Sequence, residues 1–282
     1  MIRLGAQLSQ APGYEYTVSE AGQAGLRALQ WFSRNPVGGQ SGVLPPPNAL
    51  RQLLQQHHID SVYIHAPYFV NPASVEEAKR ERAMSVLSQE MRRARRLSGR
   101  YVVLHPGHWQ HGASRAESLD ALTATVQAML AVPGHILLEN TAGQGKELGD
   151  TFEELAAMFD AIGAPRRVGM MLDTAHAMAR GYALASSRDV RALLKHIDGT
   201  VGLSCVKGIH LNDSAYPVGA RRDRHTHLLA GQLTREALYA ILSWANDADI
   251  PLILETPGRD VSQRLQDIAV VSGFQQLVKV DA

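Results

Sequence analysis

The stretch QLSQAPGYEY, residues 7–16, decides the fold class of this chain. It follows the first apolar run, IRLGAQLS, at the point where a doubly wound open sheet carries a Gly-x-Gly-x-x-Gly phosphate turn, and it does not match that pattern. Seven further runs rich in β-branched or aliphatic residues follow: ALQWFSR, SVYIHAPY, YVVLHPG, HILLENT, VGMMLDTAH, VKGIHLND and PLILETP. Between most of them lie stretches with apolar residues three and four apart, namely ALRQLLQQ, AMSVLSQEMRRARRL, LDALTATVQAML, FEELAAMF, DVRALLKHI and EALYAILSWA, and these predict helices. Eight strand–helix units in 282 residues come to about 35 residues each, which suits a (β/α)8 TIM barrel of about 250 residues with insertions. The reading is therefore an α/β chain forming a single TIM-barrel domain over 1–282, in preference to two smaller domains.

Local signals fit that plan. Pro45, Pro46 and Pro47 lead into ALRQLLQQ, and Thr151 with Glu154 has the spacing of a capping box. The basic run RRARRL, 92–97, sits late in a helix, where cations complement the dipole, and reads as a solvated face.

Composition narrows the classes of function. With 45% hydrophobic and 20% charged residues the chain is an ordinary globular protein, and a net charge of +1 neither supports nor excludes DNA binding. Cys205 is the only cysteine, which rules out an internal disulfide and a thiolate metal cluster. It reads as a small buried apolar residue. No apolar run approaches about 18 residues and the N-terminus lacks a leader pattern, so a cytoplasmic protein without a membrane partner is expected.

In a barrel the active site lies at the carboxyl ends of the strands. There the polar residues gather: His65, His105, Glu139, Asp173 with His176, His210, and Glu255, while Asp223 and His225 follow in the loop after the seventh strand. A lone histidine at a strand end is ordinarily structural, but coincidence at six strand ends is much less plausible. Burying so many carboxylates and imidazoles without counter-charge would be costly, and divalent cations would neutralise them. Five histidines and four carboxylates match the nitrogen and oxygen preference of zinc or manganese, and nine side chains could hold two or three ions. Clustered metals suit phosphate-ester hydrolysis, so a phosphodiesterase is expected.

These residues resemble the endonuclease IV family of apurinic/apyrimidinic endonucleases, which belong to the xylose-isomerase-like barrels. The likeness runs from LGAQLS through HAPY, LHPG, LLENTAGQG, LDTAHAMARGY, IHLNDS and DRHTH to PLILETP. It implies three zinc ions, with manganese open for part of the set. His65, His105 and Glu139 would hold one, Glu139, Asp173, His210 and Glu255 a second, and His176, Asp223 and His225 a third. The implied reaction is attack by a metal-bridging hydroxide on the phosphate 5′ to an abasic site in double-stranded DNA, leaving a 3′-hydroxyl and a 5′-deoxyribose phosphate. Glu139 and Glu255 are then the catalytic candidates to orient or deprotonate the nucleophile. Tyr68 and Phe69 match the family's wedge into the duplex, and Arg224, Asn35 and Arg34 are further candidates for DNA contact. No obligate protein partner is evident.

The chain departs from the family pattern at Gln7, where histidine is usual, and in HLLAGQL, where a Gly-x-Gly turn is usual. The loop SRNPVGGQSGVLPPP also has no arginine or tryptophan over 36–44. His108, His111 and His227 fall outside the ligand pattern. Two alternatives stay open. A one-metal sugar isomerase or epimerase of related barrels would need only Glu139, Asp173, His210 and Glu255, leaving five ligands surplus. A catalytically silent protein would bind damaged DNA or store metal.

Overall fold

The computed structural model describes residues 1–38, 42–163 and 166–280, with side chains described up to residue 274. Eight parallel strands form a barrel: β1 (Leu4–Gln7), β2 (Ala28–Phe32), β3 (Ser61–His65), β4 (Tyr101–Leu104), β5 (His135–Glu139), β6 (Val168–Asp173), β7 (Val206–His210) and β10 (Leu252–Leu254). Each matches one of the eight apolar runs. They close in the order β1-β10-β7-β6-β5-β4-β3-β2, and pairing of Leu4 with Leu252 completes the ring. The strands β8 (Asp213–Ser214) and β9 (His225–Thr226) form a short antiparallel ribbon outside it, which the apolar runs did not signal.

The helices are α1 (Tyr14–Gln23), α2 (Pro47–Gln56), α3 (Glu77–Arg96), α4 (Arg115–Leu130), α5 (Phe152–Ile162), α6 (Thr174–Arg180), α7 (Ser187–Thr200), α8 (Arg235–Asp247) and α9 (Leu265–Val280). Six match the predicted stretches; α1, α6 and α9 are additional. Pro47 occupies the first helical position of α2, where a missing N–H is harmless. Thr151 accepts the Glu154 N–H at 3.2 Å, but the expected capping box is only half made, because the Glu154 carboxylate takes Arg115 and the Gly149 N–H instead. A reciprocal box forms at α4, between Ser114 and Glu117. In RRARRL, Arg92, Arg95 and Arg96 are exposed, while Arg93 donates to Ser33 Oγ at 2.8 Å.

Two apolar layers form because side chains on a strand alternate in direction. Outward residues such as Leu29, Ile64, Val102, Leu138 and Leu172 join the helices in the main core. Inward residues Ala28, Tyr63, Tyr101, Val103, Leu137, Met171 and Ile253 fill the barrel. That inward register aims the site: two residues beyond Tyr63, Val103, Leu137, Met171 and Ile253 stand His65, His105, Glu139, Asp173 and Glu255.

Candidate metal centre

The nine polar residues meet at the carboxyl mouth of the barrel. Potential ligand atoms of His65, His105 and Glu139 lie within 4.8 Å of one another, as do those of Glu139, Asp173, His210 and Glu255, and those of Asp173, His176 and His225. Glu139 joins the first two groups and Asp173 the last two. Separations include 3.4 Å from His65 Nε2 and 3.2 Å from His105 Nε2 to Glu139 Oε2. His210 Nδ1 lies 2.9 Å from Glu139 Oε1 and 3.2 Å from Glu255 Oε2. Two ligands about 2.0–2.2 Å from a tetrahedral ion stand about 3.3–3.6 Å apart, so the 3.2 Å and 3.4 Å separations suit a shared cation, while the 2.9 Å contact is a hydrogen bond.

The third group differs in detail from the set that the resemblance implies. Asp173 belongs to it, while Asp223 approaches the same imidazoles from a more exposed loop, 3.3 Å from His176 Nε2 and 3.4 Å from His225 Nε2. Asp173 reaches inward because it also caps α6, accepting the His176 N–H at 2.7 Å. That one turn places His176 beside it.

The donor atoms fit metal ions on two observations. Among the described residues, His65 Nε2, Glu139 Oε2, His176 Nε2 and His225 Nε2 are buried without a hydrogen-bond partner. Orphaned polar atoms are expensive, and four in one pit point to a ligand that accepts lone pairs. In addition, the far nitrogens are occupied: His65 Nδ1 donates to Ala66 O at 2.8 Å and His176 Nδ1 to Asn140 O at 2.8 Å. A carbonyl can only accept, so each Nε2 keeps its lone pair toward the site.

Electrostatics point the same way. Burial works to lower the pKa of His210, but Glu139 and Glu255 outweigh it and push the value up to about 9. Burial likewise opposes ionisation of Glu139, and His210 and His105 hold it well below the usual carboxylate range. The pit therefore demands positive charge beside its carboxylates.

Three positioning residues escaped the sequence reading. Gln30 is fully buried and its amide spans two ligands: Nε2 donates to Glu255 Oε1 at 2.7 Å, and Oε1 accepts from His210 Nε2 at 3.0 Å. This fixes His210 with Nδ1 toward the site. Its signal was register, since Gln30 stands two residues beyond inward Ala28. Asn140 accepts the Asp173 N–H at 2.7 Å, and Asn212 donates to Asp173 Oδ2 at 2.7 Å while accepting the Glu255 N–H at 2.9 Å.

The other candidates scatter. Tyr68 is 56% exposed on the rim, its ring centroid 5.1 Å from that of His65. Phe69 lies under Arg82, 5.8 Å from the guanidinium carbon. Arg224 is exposed and lines a cavity with Arg221, Arg222 and Tyr216. Asn35 accepts the Val37 N–H at 3.2 Å, which organises its own turn. Arg34 is ion-paired with buried Glu90 on α3 rather than presented to solvent. Part of the glycine-rich loop, 39–41, lies outside the described residues. His227 donates to buried Asp267 at 2.8 Å, and His108 pairs through its backbone with Glu147.

The profile of the xylose isomerase-like TIM barrel family matches residues 18–273. The chain is 36% identical over 282 residues to a probable endonuclease 4 of Moorella thermoacetica, covering 98% of this chain and all of the relative. It is 34% identical to one of Heliobacterium modesticaldum, covering 97% and 99%. The crystal structure of endonuclease IV from Thermus thermophilus superimposes with a TM-score of 0.84 at 31% identity, covering 97% of this chain and 99% of that one. A D-tagatose 3-epimerase-like protein superimposes at 0.74 with 17% identity over 99% of each chain, a likeness of fold alone. With full-length relatives above 30% identity and three His/Asp/Glu groups at the barrel mouth, the chain belongs to the endonuclease IV family and is a metal-dependent, AP-endonuclease-like hydrolase.

Proposed function

We propose that the chain is a zinc-dependent apurinic/apyrimidinic endonuclease of DNA repair, acting in the cytoplasm on double-stranded DNA. It hydrolyses the phosphodiester 5′ to an abasic site and leaves a 3′-hydroxyl and a 5′-deoxyribose phosphate. The observation that carries this reading is the chaining of three donor groups through Glu139 and Asp173. Three zinc ions bound there would supply a nucleophile at neutral pH and neutralise the charge of the phosphate.

The chain's own residues perform the rest. Glu139 turns Oε2 toward His65 and His105 and Oε1 toward His210, so one carboxylate orders both groups. Glu255, held through Oε1 by Gln30, turns Oε2 into the site, 3.2 Å from His210 Nδ1, where it would orient the attacking water or take its proton. Tyr68 on the rim serves as the wedge that fills the space of an extruded abasic nucleotide, where the unstacking cost is least. Arg224, between Asp223 and His225 in the chain and exposed, would contact a phosphate.

A sugar isomerase or epimerase would be served by Glu139, Asp173, His210 and Glu255 alone. The other two groups are surplus to it. Incubation of the purified protein with a duplex carrying one abasic site, before and after prolonged chelation, tests the proposal. Incision should be lost on chelation and return with zinc. Absence of incision by a protein holding fewer than two metal ions per chain would overturn it.

A further inference from the structure

At the other end of the barrel, the amino-terminal ends of the strands enclose a cavity of about 580 Å3. It is remote from the metal groups along the strands: Arg100 immediately precedes β4, Tyr101 begins it and Lys207 lies at the start of β7, whereas the ligands lie at the far ends of the strands. Five cationic side chains line it, Arg3, Arg100, Arg166, Arg167 and Lys207, against the single carboxylate Asp249. In a chain of net charge +1, that is a concentrated positive field.

Two of the five have partners that account for them. Arg3 Nε lies 3.0 Å from Asp249 Oδ1, and Arg167 donates to the carbonyls of Leu130, Val132 and Gly134 at the end of α4. The side chains of Arg100, Arg166 and Lys207 are exposed, and among the described residues none makes a hydrogen bond or ion pair. Arg100 only lies over the Tyr101 ring, 5.3 Å from its centroid. Behind these cations Tyr63 and Tyr101 are stacked at 5.4 Å and both buried. The field is felt by His135, whose imidazole is held below its ordinary range by partial burial and then by Arg100 and Arg167.

We propose that this cavity binds a multiply charged phosphate anion, with Arg100 and Lys207 as the principal contacts. Its volume is that of a small-ligand site, about 300–1,000 Å3. β5 and β6 separate β4 from β7 in the barrel, so the two cations reach the anion from different sides. A planar guanidinium and a compact ammonium match phosphoryl oxygens in complementary ways. The phosphate can come from a small molecule or from a DNA backbone. The inference does not depend on the activity proposed for the metal end.

Titration of pyrophosphate into the metal-loaded full chain at low ionic strength, followed by calorimetry, tests it. The wild type should bind one more pyrophosphate per chain than the Arg100→Gln/Lys207→Gln variant, or bind it at that site about tenfold more tightly. Lys207→Arg alone should retain binding. Equal stoichiometry and affinity in wild type and double variant overturn the proposal. Cys205, the only cysteine, lines the same cavity and reports occupancy through its rate of reaction with a small thiol reagent. Protection by pyrophosphate but not by a lesion-free duplex assigns a free phosphate ligand, and protection by the duplex assigns a DNA backbone. Protection by neither overturns the site.

Discussion

At Glu139 the two carboxylate oxygens face different imidazoles, Oε2 lying 3.2 Å from His105 Nε2 and Oε1 2.9 Å from His210 Nδ1. Replacing one oxygen by an amide nitrogen removes an anion and presents N–H to one of the two groups. Glu139→Gln should therefore lower kcat for incision by about 10²–10³-fold while leaving DNA affinity within a few-fold, as single-turnover kinetics and filter binding would read. Full activity in that variant contradicts its assigned role. Gln30 acts one step back, through the ligands it holds. Gln30→Leu keeps the size but leaves Glu255 Oε1 and His210 Nε2 unpaired, so affinity at the central group should fall about 10–100-fold in a zinc-competition titration. Unchanged zinc affinity would show that packing alone orients the two ligands.

At the scale of elements, the loop between β7 and α8 carries Asp223 and His225, and buried Asp213 organises it. Asp213 accepts the N–H groups of Gly231, Gln232 and Leu233 at 2.7–2.8 Å. A Cβ on Gly231 would sit 2.1 Å from Ser214 O and 2.7 Å from Asp213 Oδ1, both fixed by the ribbon. Gly231→Ala must therefore shift the loop. The expected result is loss of about one bound metal per chain from the third group together with a fall in stability of about 1–3 kcal/mol, read by metal analysis and urea unfolding. This loop also marks where sequence reading stops. His210 ends a strand and was legible from an apolar run; the β8–β9 ribbon, two residues per strand, has no period to read. Likewise the Thr151 box was half right, because spacing shows which carboxylate can reach back and not that Arg115 competes for it.

For the molecule as a whole, the barrel confines buried Glu139 and Asp173 with half-buried Glu255 at one mouth, where their mutual repulsion and desolvation oppose folding unless cations are present. Ion binding is then linked to stability. Zinc at about 100 times its dissociation constant contributes about 2.7 kcal/mol per site, so chelated protein should unfold several degrees lower in a calorimetric scan and recover on zinc addition. Identical transitions with and without zinc would indicate that the groups bind no ion. No helix among the described residues is long and apolar enough to cross a membrane.

The alternation of apolar runs, and the polar residues that end them, determined from sequence alone the eight-stranded barrel and the collection of ligands at one mouth, because strand period and barrel polarity are local rules repeated eight times. Endonuclease IV membership was legible for the same reason, since its motifs lie at those strand ends. Only the tertiary structure decided that Asp173 joins the third group as well as the second, and that Gln30, Asn140 and Asn212 hold the ligands. It also turned Arg34 to Glu90 and gathered Arg100, Arg166 and Lys207 at the opposite end. Those pairings join residues far apart in sequence, and closing the barrel is what brings them together.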